Sequence, residues 1–353
     1  MQLSLTPLSY IKYKSGNKLH AVSVLKLLMA LMVIQIHTPS SWQAFSMPLL
    51  RIAVPVFFMI SGYFILLDNG TFSLSRISKS IRKIGLIILS ANIVYLALYA
   101  TVLYRHGQDI IAELSSIRLW IDAIFLGGSF GFHLWYLTAF METLIVIFFA
   151  VKFHKEKILF WLVPIGLLLN LLTGGYSFLV TRETLGIDWS RNFLTVGIPC
   201  VMAGVLLRRN EHRIRIHSST LMILVVIALA ALYLEWMIVG NVFYSRGNVF
   251  LLTLPLAFLV FYSSLKATGH LANPNILASF GEKYSLDIYI YHLLAITIME
   301  WAISKEYSSL YGLIIIPFTV IVIAGVQVYR TTCHQIVRLV FTTVHKKMDG
   351  VKN

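Results

Sequence analysis

Apolar residues run through this chain in long blocks separated by shorter polar stretches. Ten blocks stand out, at roughly 21–38, 49–67, 84–104, 134–152, 157–173, 192–207, 219–239, 249–266, 284–302 and 310–330. Each approaches the ~20 mostly apolar residues that a helix needs to cross ~30 Å of hydrocarbon. The pattern predicts an all-α fold, a polytopic membrane helical bundle of about ten transmembrane helices. No internal repeat, linker or low-complexity segment divides the chain, so residues 1–353 read as a single membrane domain with polar tails at about 1–20 and 331–353. The connections at about 105–133 and 174–191 have room for structure outside the bilayer. In the first, IAELSSIRLWIDAIF predicts a short helix.

Composition supports the same reading. The chain is 58% hydrophobic and 12% charged, against about 25% charged in a soluble domain. A mean hydropathy of +0.79 is more apolar surface than a water-soluble protein of this length can bury. The first apolar block lacks a small-residue cleavage site and reads as a retained span. Cys200 and Cys333 make no metal-type spacing and imply no disulfide framework, and no resident metal is expected.

Charge orients the bundle. If Lys12, Lys14 and Lys18 are cytoplasmic, ten spans return the C-terminus to the same side, and 21 of the 29 Lys and Arg fall there. The outer loops hold Arg105, Arg118, Arg182, Arg191, Arg246 and Lys305, and Lys26 and Arg51 lie within spans. This is the positive-inside pattern. Basic loops against anionic membrane lipid account for much of the net charge of +14, so nucleic acid is not an expected partner.

Ionisable residues inside spans are expensive and default to function. In LKLLMALMVIQIH, Lys26 and His37 are eleven residues apart, about three helical turns, so they share a face roughly 16 Å apart along the axis. Alternatively, Lys26 snorkels inward and His37 sits among headgroups. In LLRIAVPVFFMISGYFILL, Arg51 lies near the outer end, Pro55 removes a backbone donor, and Ser61 with Gly62 forms a small-residue notch. Arg51 on a lipid phosphate above a packing kink is the alternative there. RISKSIRK sets Arg76, Lys79 and Arg82 three apart with Lys83 adjacent. That basic stripe suits either the phosphates of a cytosolic coenzyme or a membrane anchor. GFHLWYLTAFME puts His133 and Trp135 in an outer aromatic belt and Glu142 deeper. FGEKYSLDIYIYHLL puts Asp287, Tyr291 and His292 in the inner half of its span, and Asp287 and Tyr291, four apart, suit a hydrogen-bonded core pair.

Four of these stretches, LKLLMALMVIQIHTPS, RIAVPVFFMISGYF, FHLWYL and FGEKYSLDIYIYH, stand in one order over nearly the whole chain. Together they resemble the membrane acyltransferase-3 family of bacterial O-acyltransferases. The family's first motif is a basic residue, usually Arg, ten intervening residues and a His; here Lys26 holds the Arg position and His37 the His position. Lys is a point charge without the planar fork of Arg. The Lys and the HTPS ending resemble the branch of surface-polysaccharide acetyltransferases and of the membrane domains of some serine-racemase resistance proteins.

The resemblance implies transfer of an acyl group, acetyl by default, from cytosolic acyl-CoA to a hydroxyl of a cell-surface or lipid-linked glycan at the bacterial inner membrane. Acyl-CoA would be a donor substrate, with no permanently bound cofactor. It also implies that Arg76, Lys79, Arg82 and Lys83 contact the CoA phosphates. A hydroxyl is a weak nucleophile that needs a base. His37 is the candidate, because imidazole titrates near neutrality; a covalent acyl-His intermediate is the second possibility. Arg51, from the family match, and then Lys26 are candidate donors to the oxyanion, and Lys26 alternatively lines the path of the pantetheine arm. Ser61, His133, Trp135, Glu142, Asp287 and His292 are candidates for substrate contact or buried polar structure. The rival readings are a transporter or exporter of polysaccharide or a small polar solute, since broken helices and buried charges suit transport too, and a structural subunit of a polysaccharide assembly complex.

Overall fold

The computed structural model describes residues 19–38, 40, 42–178, 182, 187–243, 250–267, 275–302 and 314–326. Lys12, Lys14, Lys18, Arg246, Lys305, Cys333 and both tails lie outside the described residues. The elements are α1 (His20–His37), α2 (Gln43–Leu50), α3 (Ala53–Ile65), α4 (Leu74–Arg105), α5 (Ile110–Leu114), α6 (Ile117–Phe125), a 3-10 turn (Phe132–Leu134), α7 (Trp135–Lys152), α8 (Glu156–Thr173), α9 (Ile187–Ser190), a π-helical turn (Phe193–Gly197), α10 (Ile198–Asn210), α11 (Ser218–Phe243), α12 (Thr253–Ala267) and α13 (Ile276–Ala302). A shorter apolar helix, α14, spans Ile314–Val326.

The fold is an all-α polytopic membrane bundle. Seven helical segments among the described residues are long and apolar enough to cross a bilayer: α1, α2 with α3, α4, the 3-10 turn with α7, α8, Asp188–Asn210, and α11. α12 and α14 are shorter, and α13 is long but carries Glu282, Lys283, Asp287 and Glu300. Each of the ten expected apolar blocks overlaps helix among the described residues.

The helices form an inner and an outer set. In α1 and in the segment containing α7, 56% of the apolar stretch is buried, and in Asp188–Asn210 it is 67%. The corresponding values for α4, α8 and α11 are 17%, 17% and 11%, so these three turn mostly outward, as lipid-facing helices do. The most extensive packing is of α1 on α13 and of α3 on α10. Small residues explain the second pair. A Cβ on Gly62 would collide with the Val201 carbonyl, and one on Gly204 with the Met59 carbonyl. The Ser61–Gly62 notch thus admits another helix's backbone, the usual way apolar helices gain van der Waals contact in lipid. Gly204→Val is expected to lower stability by about 1–3 kcal/mol through overpacking, read as a fall in the thermal midpoint of the detergent-solubilised protein. An unchanged midpoint would mean the two helices can part at little cost.

Three local differences from the sequence expectations have physical causes. The second span is two helices, α2 and α3, broken at Arg51–Ile52. Pro55 has no N–H for the Arg51 carbonyl four residues back, so the break falls one turn before the proline. The 105–133 connection holds two short helices instead of one. Asp109 caps α5 by accepting from Ile111 N–H and Ala112 N–H at 2.9 and 3.1 Å, and the chain restarts at Ser116 in extended backbone. α6 exposes Ile117, Ile121, Ile124 and Phe125, as a helix lying in the membrane interface does. Finally, α13 begins at Ile276, eight residues before the expected span, which moves His292 out of the inner half and level with His37.

At the other end of the bundle, α4 starts on Ser73, whose hydroxyl oxygen accepts from Arg76 N–H at 3.4 Å. The α3–α4 loop is clamped by arginines. Arg76 donates to the Leu66 carbonyl at 2.8 Å and Arg209 to the Gly70 carbonyl at 3.0 Å. Arg208 pairs with Glu211 at 2.9 Å and with Asp68 at 3.6 Å, and Tyr63 donates to Glu211.

Candidate active site

A cavity of about 50 Å³ opens at the His37 end of the bundle, lined in part by His37, Arg51, His133, Trp135, Arg191 and Tyr289. His37 is the last residue of α1. The helix end behind it is satisfied locally. Thr38 hydroxyl donates to the Ile34 carbonyl at 2.8 Å, and Gln43 Nε2 donates to the Ile36 carbonyl at 3.0 Å, so carbonyls orphaned at the C-terminus are paired and the imidazole is left for other work. Its ring stacks on His292 at 5.2 Å between centroids and meets Phe132 edge-on at 5.0 Å.

Two further imidazoles are held by main-chain carbonyls, which assigns their tautomers. His133 Nε2–H donates to the Ile290 carbonyl at 2.9 Å, and His292 Nδ1–H to the Tyr289 carbonyl at 2.7 Å. The remaining nitrogens, His133 Nδ1 and His292 Nε2, are buried without a hydrogen-bond partner, and the two rings lie 4.9 Å apart. Tyr95 sits astride the Ile290–Leu294 step of α13. Its hydroxyl donates to the Ile290 carbonyl at 2.6 Å and accepts from Leu294 N–H at 3.2 Å. Tyr289 hydroxyl returns a bond to the His133 carbonyl. The 3-10 turn, α4 and α13 are thereby tied to one stretch of backbone.

The cations arrive from two chain breaks. Arg51 caps the C-terminus of α2 in the break before α3, and its Nε is buried without a hydrogen-bond partner. Arg191 lies in the bend between α9 and the π-helical turn. There Asn192 forms a capping box, its Oδ1 accepting from Leu194 N–H and Thr195 N–H, both at 3.0 Å. π-turns of this kind concentrate at functional sites. The Arg191 guanidinium lies over the Trp135 ring, 5.9 Å from its centroid. His37 is within electrostatic reach of His292, Arg51 and Arg191. An imidazole with no hydrogen-bond partner among the described residues, beside two guanidinium groups, can take a proton while negative charge develops next to it.

The candidate residues divide accordingly. His37, Arg51, His133 and Trp135 line the cavity, and His292 backs it by stacking on His37. His133 is buried at 2% exposure rather than sitting in an interfacial belt, because the 3-10 turn directs it inward onto α13. Ser61 lies on α3, donating to the Phe57 carbonyl at 2.9 Å. Glu142, half-buried on α7, makes no hydrogen bond or ion pair among the described residues. Asp287 is buried in α13. Lys26 is outside the cavity, where its electrostatic partner is Glu282 of α13. At the opposite end, Lys79 and Arg82 are exposed and Lys83 is partly buried. Sequence reasoning missed Arg191, Tyr95 and Tyr289. Arg191 counted there as an outer-loop charge; the Asn192–Thr195 spacing after it was the available signal of a helix start, and so of a residue held close to the bundle.

Over 137 residues, 35% of this chain and 18% of the other, the chain is 30% identical to an amino-acid racemase of Enterococcus faecalis; the matched part is thus under a fifth of that protein's length. No solved structure matches significantly. The family model described as an acyltransferase domain matches residues 19–328, a range that takes in every helix among the described residues and every described residue of the cavity. The chain belongs to the acyltransferase-3 family.

Proposed function

We propose that this acyltransferase moves an acyl group, acetyl by default, from cytosolic acyl-CoA to a hydroxyl of a cell-surface or lipid-linked glycan at the bacterial cell membrane. The observation that supports this best is the pairing of an unbonded imidazole, His37, with the Arg51 guanidinium on one cavity. The acceptor oxygen attacks the thioester carbonyl carbon as its proton passes to a His37 ring nitrogen. The carbonyl electron pair moves onto oxygen, and Arg51 stabilises that oxyanion. Collapse expels the CoA thiolate, which takes the proton back from His37, leaving an ester and a free thiol.

Lys79, Arg82 and Lys83 are the proposed contacts to the coenzyme phosphates, with Arg76 holding the loop at the start of the same helix. Their helix α4 carries Tyr95 beside His133 of the cavity, about 18–24 Å along the axis from Lys79 and Lys83. Exposed ion pairs are worth about 0.2–1 kcal/mol each. Lys79→Gln and Arg82→Gln are therefore each expected to raise the KM for acyl-CoA by no more than about five-fold, with kcat unchanged. A KM indifferent to both would reassign the stripe to lipid anchoring.

The deciding experiment supplies radiolabelled acetyl-CoA to the full chain in proteoliposomes with lipid-linked glycan. Label recovered from the glycan as an alkali-labile ester is the expected result. Glycan that stays unlabelled, or solute uptake that proceeds without acyl-CoA, would overturn the proposal.

A further inference from the structure

The cavity carries more positive charge than acyl transfer to a neutral hydroxyl uses. Arg51 and Arg191 both line it, and among the described residues no Asp or Glu does. Neither arginine forms a salt bridge among the described residues. Arg51 Nε is buried without a hydrogen-bond partner, and Arg191 rests on the Trp135 face. The carboxylate that Arg191 does feel, Asp188, is on the exposed side of α9 and outside the cavity lining. The two guanidinium groups also repel each other. Like charges held together at a membrane-embedded site, away from bulk water, are expensive unless an anion completes them. The tetrahedral oxyanion is one charge and exists only during transfer, so it leaves the second cation unanswered while substrate is bound.

We propose that Arg51 and Arg191 together form a seat for a permanent oxyacid anion, a carboxylate or phosphate, carried by the molecule that is acylated. The seat rests on the acyl-transfer reading of the cavity and names the class of its acceptor. The planar forks of two arginines match the oxygens of such a group, and the Trp135 face beneath Arg191 holds one of them in place. Volume agrees. About 50 Å³, at about 10–15 Å³ per water-sized group, has room for an oxyacid head. The anionic head enters, the rest of the acceptor stays at the mouth, and a hydroxyl close to the anion meets His37. Acceptors lacking the anion are rejected because two partly buried cations are then left unpaired.

Binding tests this without depending on chemistry. The full chain in phosphatidylcholine nanodiscs is titrated with radiolabelled glucose, glucuronate and glucose 1-phosphate. At least one of the two anionic sugars is expected to bind about tenfold or more tighter than glucose, a difference of about 1.4 kcal/mol. Arg191→Gln should abolish that preference, and Arg191→Lys, which keeps charge without the fork, should retain part of it. His37→Gln should leave it intact. Equal binding of all three sugars, saturable binding of none, or a preference that survives Arg191→Gln would overturn the proposal. Displacement of the bound sugar by phosphatidylglycerol added to the nanodiscs would overturn it as well, assigning the seat to a lipid headgroup. Anion preference in a protein that transfers no acyl group would instead count against the acyl-transfer reading alone.

Discussion

His37→Ala is expected to lower acyl transfer by about 10²–10⁴-fold, the usual contribution of a positioned general base, while the protein still inserts and melts near the wild-type temperature. Its imidazole makes ring contacts with Phe132 and His292 but accepts and donates no hydrogen bond among the described residues. Removing it therefore orphans no buried polar group, and the α1 terminus keeps its Thr38 and Gln43 bonds. The measurement is label transfer from acetyl-CoA, alongside membrane yield and thermal midpoint. Transfer within a few-fold of wild type would remove His37 from the chemistry. Loss of transfer together with loss of folded protein would make it a packing residue. Label trapped on His37 in an acceptor-free reaction would favour the acyl-His route over base catalysis.

Arg51→Ala should lower kcat by about 10²–10³-fold, as removal of one oxyanion donor does. Since the oxyanion forms only in the transition state, that part of the loss falls on kcat. If Arg51 also seats a substrate anion, KM rises in addition, and Arg191→Ala shows mainly the KM effect. The two arginines are thus distinguishable by the ratio of the two losses. Arg51→Lys should recover part of kcat, because a point charge stabilises an oxyanion without the bidentate geometry. An unchanged kcat in Arg51→Ala would leave the oxyanion to another donor.

Much of the architecture was legible in the sequence because membrane spans advertise themselves by length and apolarity alone. α1, α7 and α8 start and stop within a residue or two of their apolar blocks. The eleven-residue step from Lys26 to His37 also set both on one helix face. Less of the site was legible, since its geometry is made between helices. Hydropathy located the ninth span but not its start, and an eight-residue error in α13 carried His292 to the wrong depth. Arg191 is one polar residue in a polar connection, and only the turn geometry after it shows that it bends back into the bundle. Lys26 occupies the family's basic position, yet three turns of α1 separate it from His37 and leave it outside the cavity, in the field of Glu282 on α13.

The glycine contacts between α3 and α10 also bear on how substrates reach the cavity. With backbone against backbone at Gly62 and Gly204, that crossing has no compressible side chain to yield, so the two helices move as one stave. Arg51 and Arg191 stand just beyond the ends of this stave, and their spacing is set by its stiffness. An acyl chain on its way to His37 cannot gain passage by prising these helices apart. Room must come from the other elements that line the cavity, the end of α1, the 3-10 turn and the start of α7. The cavity thus has one wall that cannot give, and any gating of acyl transfer belongs to its other sides.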